Sequence, residues 1–131
     1  MERFQYEHDV EVQFRDCDAF GHVNNAVYLT YLEEARFGFW KRLSGATGTP
    51  QDIIVARAEC DYRMPVAFGD RLVVRVAVAA VGNSSFTLAY EVLLARTRQV
   101  VATARTVQVM YDYTAARPIP IPNDIRVKLT R

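Results

Sequence analysis

Residues 15–36 read RDCDAFGHVNNAVYLTYLEEAR and gather two acids, a cysteine, a glycine, a histidine and two asparagines directly ahead of an amphipathic segment. Asp18 has two readings. As a structural residue it bonds nearby backbone N–H groups and closes a turn over Ala19, Phe20 and Gly21. As a chemical residue it is a carboxylate at a helix entrance, able to act as general base or as nucleophile toward a carbonyl. Asn24 stands where a helix N-cap belongs, its side chain bonding an N–H one or two positions on. First-turn N–H groups, those of Asn25 or Ala26, are then left without an intrahelical partner and suit an oxyanion. A donor of this kind is worth about 2.7–4 kcal/mol in acyl transfer. His22 can orient the loop, serve as a second base or fill space. Gly21 allows a sharp turn through a backbone conformation closed to other residues. Glu33, one position past Leu32 at the edge of the apolar stripe, can bond back to the loop. Cys17 is the alternative nucleophile, but carboxylates on both sides repel a thiolate, so a structural thiol is the better reading. Cys60 falls inside a strand and reads as core.

The elements around this cluster must hold it in place. DVEVQFRD (9–16) alternates, with Val10, Val12 and Phe14 on one face, which predicts a strand with one buried side. If it stays extended, Asp16 and Asp18 share a face and Cys17 points to the other. A helix is expected from about Asn24 to Leu43. Tyr28, Leu32, Ala35, Phe39 and Leu43 recur at helical spacing with Tyr31 beside them, and Glu34, Lys41 and Arg42 fall away from that stripe. SGATGTP closes the helix. Four further strands are expected within 52–63, 70–82, 84–95 and 99–113. Prolines 118, 120 and 122 keep the tail extended before a last turn of helix. Short connections favour antiparallel neighbours, and a sheet with one apolar face needs a cover. The expected fold is α+β: a curled five-stranded antiparallel sheet wrapped around one long central helix. It forms a single domain over 1–131, with its core at about 8–113 and an extended C-terminal tail, 114–131. Bare sheet edges favour pairing with a second copy.

The chain has 131 residues, enough for one domain with a substantial core. Sixteen basic residues against 15 acidic ones leave a net charge of +1, which gives nucleic acid no electrostatic footprint. The start, MERFQYEHDV, has charges where a secretory signal needs an apolar run. No stretch approaches the roughly 18 apolar residues of a membrane span. Two cysteines without metal-ligand spacing fit a reducing cytoplasm. No G-x-S-x-G elbow is present for a serine hydrolase.

FRDCDAFGHVNNAVYLTYLEEAR resembles the signature of the hotdog-fold acyl-CoA thioesterases of the 4-hydroxybenzoyl-CoA thioesterase type. The shared pattern is an aromatic, a spaced Asp pair, Gly, an apolar or Asn step, Tyr and Glu-x-Ala-Arg. CDYRMPVAFGDRLVV and VGNSSFTLAYEV stand at two further family landmarks, so the likeness runs over about residues 8 to 113. The resemblance implies a dimer with joined sheets, often a tetramer, with active sites at the subunit interface. It implies hydrolysis of acyl-CoA thioesters without metal or other cofactor, Asp18 being the catalytic carboxylate and the Asn25 N–H polarising the thioester carbonyl. The expected site is therefore Asp18, Asn25 and His22, with Gly21, Asn24, Tyr28, Glu33, Ser84 and Ser85 toward the substrate, the serines reaching it across the dimer.

Two departures bear on the substrate. HVNN replaces the aromatic-rich segment of hydroxybenzoyl-specific members, and GNSS replaces their basic cluster. The GHVNN version looks more like members acting on fatty acyl-CoA or acyl carrier protein thioesters, whereas GNSS removes an obvious phosphate contact and leaves Arg57, Arg63 or Arg96 as coenzyme A contacts. The alternatives are an acyl-acyl carrier protein thioesterase or a noncatalytic acyl-thioester binding module. A binding pocket gains nothing from an unpaired buried carboxylate. A hotdog dehydratase or hydratase relies on a His within a Pro/Gly-rich motif or on an Asp-x-Asn-x-x-His arrangement, and here Asp18 and His22 stand four apart without the matching Asn.

Overall fold

Five long segments alternate or run apolar in ways that only a sheet and its covering helix can bury together. In the computed structural model, which describes residues 3–45 and 53–131, they form β1 (Phe4–Glu11), β2 (Ile53–Tyr62), β3 (Arg71–Val81), β4 (Ser85–Leu94) and β5 (Val100–Asp112). All pairings are antiparallel, in the order β1-β3-β4-β5-β2. The helix α1 (Asn25–Ser44) packs on the β1 and β3 side of this sheet.

The stripe expected on the helix is the one buried: Tyr28, Tyr31, Leu32, Ala35, Phe39 and Leu43, joined by Trp40. They meet the inner-facing residues Leu72, Val74, Val76, Phe86, Leu88 and Val92. Trp40 stacks on Phe86 with centroids 5.7 Å apart. Gly45 ends the helix at φ 67°, its N–H bonding Lys41 O. The remainder of the closing segment, 46–50, and the start of the next expected strand lie outside the described residues.

Three expectations are corrected. The first strand begins earlier and ends earlier than its alternation suggests. Residues Phe14–Asp16 form a 3₁₀ turn rather than a strand, so Asp16 and Asp18 do not share a strand face. Val10 and Val12 are buried as expected, but the turn swings Phe14 out to 75% exposure. The sheet gains a sixth strand, β6 (Arg117–Pro118), on the end of β5. The tail ends in a helix as expected, but it does not lie outside the core, which reaches past residue 113. After its prolines it forms α2 (Asn123–Leu129), and Ile121, Ile125 and Leu129 are buried in the main core.

Arg36 is the unexpected core member, only 7% exposed. Its guanidinium donates to Tyr90 Oη at 3.3 Å. Tyr90 Oη shares a 2.6 Å hydrogen bond with Thr106 Oγ1, which bonds Gln108 Oε1, and Gln108 Nε2 donates to Phe86 O at 3.0 Å. A buried guanidinium without such acceptors would be costly. The network instead ties α1 to β4 and β5 through satisfied polar groups.

Candidate active site

The chain enters α1 through a short hairpin. Cys17 pairs with Val23 as an antiparallel bridge, Asn24 N donates to Asp16 O at 2.9 Å, and Asp18 N donates to His22 O at 2.8 Å. Between the arms the chain reverses over Ala19-Phe20-Gly21, and Gly21 N donates to Asp18 O at 3.0 Å. Gly21 sits at φ 82° with open space where a side chain would be, so backbone conformation and not packing requires glycine there. The far arm is pinned by a second segment. Val23 N donates to Val66 O at 2.8 Å, and His22 pairs with Ala67. The segment carrying Val66 and Ala67 is the connection between β2 and β3, itself closed by Asp70 accepting from Ala67 N at 3.0 Å.

Asp18 closes its turn with one oxygen and leaves the other open. Oδ1 accepts from Phe20 N at 2.9 Å and from His22 N at 3.4 Å, the turn-closing role. The residue is exposed, and no contact within the described residues engages Oδ2. Asp16 is different. It is half-buried, and its Oδ2 accepts from Gln13 N at 2.9 Å and from Tyr31 Oη at 2.8 Å. One acid of the pair is committed to structure and the other keeps a free oxygen.

The helix start is as open as its sequence suggests. Asn24 is the N-cap, and its Oδ1 accepts from Ala26 N at 2.9 Å. Val27 N donates to Asn24 O at 2.9 Å. Of the backbone donors around the cap, the Asn25 N–H alone has no acceptor among the described residues. It carries the partial positive charge of the helix N-terminus and faces no competing partner.

Three tyrosines support this arrangement from beneath. Tyr62, at the end of β2, donates from Oη to Asn25 O at 2.8 Å. Its ring is edge-on to Tyr28 at 5.1 Å, and Tyr28 is edge-on to Tyr31 at 6.1 Å. Burial pushes the Tyr28 phenol up to about 12, with Cys60 and Tyr62 adding to the shift. Burial and the bond to Asp16 push Tyr31 up as well. These phenols stay protonated donors at neutral pH.

The other expected residues divide. Tyr28 is 3% exposed and is a core residue, so it backs the site rather than facing outward. His22 is exposed and bonds through its backbone; its side chain makes no hydrogen bond or ion pair among the described residues. Glu33 is exposed on α1 and makes no bond back to the loop among the described residues. Cys17 and Cys60 are half-buried thiols packed against the core. Ser84 and Ser85 lie at the wrong end of the sheet for a site within one chain. Ser85 opposes Val109, next to the Ile53–Met110 pair, whereas the helix start sits at the Tyr62–Ala102 end. Ten residues of β4 separate the ends by roughly 30 Å. Sequence reasoning missed an apolar rim: Phe14, Phe20 and Phe68 are 75%, 86% and 62% exposed around the hairpin. Phe14 and Phe68 meet edge-on at 5.8 Å. Phe20 and Phe68 stand within the quoted motifs, but only a solvent-facing loop makes them a rim.

The family model described as the thioesterase-like superfamily matches residues 12–129. The chain belongs to that superfamily. A thioesterase from Thermus thermophilus, solved with coenzyme A and zinc, superposes with a TM-score of 0.86 at 34% identity, covering 98% of this chain and 100% of that one. The long-chain acyl-CoA thioesterase FadM of Escherichia coli (strain K12) is 29% identical over 92% of this chain and 93% of its own length. An uncharacterized protein of Bacillus subtilis (strain 168), YsmA, is 38% identical over 66% of this chain, a match that spans 60% of that protein. The sheet wrapped on one long helix is the hotdog fold of the superfamily. No described helix is long and apolar enough to cross a membrane.

Proposed function

We propose that the chain hydrolyses acyl-CoA thioesters to a free acid and coenzyme A, with Asp18 and the Asn25 N–H as its reacting groups. The observation that carries this reading is the pairing of one carboxylate oxygen and one helix N–H, both unspent, on the two sides of a single pinned hairpin. The thioester carbonyl accepts from the Asn25 N–H, which stabilises the negative charge that develops on its oxygen. Asp18 either adds to the carbonyl carbon, forming an anhydride that water then cleaves, or takes a proton from the water that adds. In both routes the C–S bond breaks and the thiolate leaves without strong acid. The exposed Phe14, Phe20 and Phe68 give the acyl group apolar surface beside the carboxylate.

The site belongs to a homodimer on this reading. β2 is an edge strand, exposed on both faces over Ile54–Glu59, with one side unpaired. Such an edge pairs with another strand or is blocked. Antiparallel pairing of two β2 edges turns one sheet end for end relative to the other. Ser84 and Ser85 of the partner subunit then approach the end that carries Asp18, which answers their separation within one chain. Thiol release from straight-chain, branched and aromatic acyl-CoA esters, run beside the same acyl groups on acyl carrier protein, tests the reaction and its carrier. Release from CoA esters supports the reading; release only from the protein carrier moves the function to acyl carrier protein thioesters.

A further inference from the structure

Resting on that reading, we propose that Tyr62 is a positioning residue: by holding the Asn25 carbonyl it fixes the first turn of α1 so that the Asn25 N–H meets the thioester. The peptide between Asn25 and Ala26 is tied at both ends. Its carbonyl accepts from Tyr62 Oη at 2.8 Å, and its N–H donates to Asn24 Oδ1 at 2.9 Å. The preceding peptide, which carries the donor, has its own carbonyl held by Val27 N at 2.9 Å. Two consecutive peptide planes are thereby fixed, and the one N–H left over is that of Asn25.

Tyr62 belongs to neither the loop nor the helix. It comes from the last position of β2, so its bond couples the sheet edge to the helix start. A first-turn carbonyl already serves the helix ladder, and the phenol is not needed to satisfy it. What the bond adds is orientation. The coupling also reaches the carboxylate. Tyr62 lies edge-on to Tyr28, Tyr28 to Tyr31, and Tyr31 bonds Asp16 on the arm that leads to Asp18. A misplacement of about 1 Å in a reacting group costs as much as a hundredfold in rate, so such a brace has consequences for turnover.

Tyr62→Phe keeps the ring contacts and removes the hydroxyl, and with it the bond to Asn25 O and the contact with the Cys60 thiol. Steady-state thiol release from an acyl-CoA ester should show kcat lowered by about tenfold, the equivalent of one modest hydrogen bond. KM and the thermal unfolding midpoint should stay at wild-type values. The amide resonance of Asn25 should move in a ¹H–¹⁵N spectrum, while amides in the last turn of α1 keep their positions. A variant with wild-type kcat and an unmoved Asn25 amide overturns the proposal and leaves the thioesterase reading intact. A loss of kcat accompanied by a lowered unfolding midpoint marks a structural role and also overturns it. A wild type that releases no thiol from any ester fails the reading itself.

Discussion

Asp16 and Asp18 are two positions apart and have separate employments, which follows from where the backbone turns between them. Asp16 faces inward to Tyr31 Oη and caps Gln13 N, while Asp18 closes the outer turn with one oxygen and exposes the other. The sequence shows the spacing of the pair but not this division, because Tyr31 reaches Asp16 only once the helix has folded back over the hairpin. The division makes a prediction about stability. Asp16→Ala removes two acceptor contacts from a half-buried carboxylate and leaves the Tyr31 hydroxyl unpaired, so it should lower unfolding free energy by about 1–3 kcal/mol in urea titration. Asp18→Asn retains an acceptor oxygen for Phe20 N and should change stability little. The helix cap was legible for a simple reason: an Asn before an apolar stripe acts locally. Glu33 bonds no part of the loop among the described residues, and its exposed place on α1 is all that the structure adds.

At the scale of elements, α1 carries the site at one end and meets β1 along its side. Tyr6 of β1 lies across Gly38, and a Cβ built at that glycine would fall on the Tyr6 hydroxyl and ring. The ring cannot swing away freely, being packed against Phe39 at 6.1 Å with Arg42 over its face at 5.7 Å. Alanine improves intrinsic helix propensity by about 0.8–1 kcal/mol over glycine. Overpacking costs about 1–3 kcal/mol, so the clash should win and Gly38→Ala should lower the unfolding midpoint. Pairing it with Tyr6→Ala should recover part of the loss relative to Tyr6→Ala alone, as expected for coupled neighbours. The strand and helix boundaries were legible in alternation and helical spacing. Two features were not. Phe14 continues the alternation of β1 yet lies beyond its end, and Arg36 sits beside the apolar stripe with partners 54 or more residues away.

At the scale of the molecule, the architecture was readable because one long apolar helix and five half-buried strands have few ways to cover each other. The proposed pairing with a second copy rests on an edge strand without a neighbour. One whole-molecule property follows from the tyrosines. Burial is the largest cause raising Tyr28, Tyr31, Tyr62 and Tyr90 above the ordinary phenol value near 10. In the folded state these groups bind protons that the unfolded chain releases. Their stabilisation is therefore complete below about pH 10 and is lost as pH rises through the folded values, toward about 12 for Tyr28. Denaturant midpoints should hold level to about pH 10 and then fall, with tyrosinate absorbance appearing for these groups only as the midpoint drops. A midpoint already falling between pH 8 and 9 would place the sensitive groups elsewhere.

The central claim concerns Asp18, and the direct measurement is thiol release from an acyl-CoA panel by wild type and Asp18→Asn side by side, with ester binding followed in parallel. The amide keeps the turn and removes the base or nucleophile. Wild type should release thiol, and the variant should bind the ester, keep its fold and lose turnover by a factor of at least about 10². A variant that turns over at the wild-type rate, or a wild type that binds the esters and releases nothing, would contradict the account.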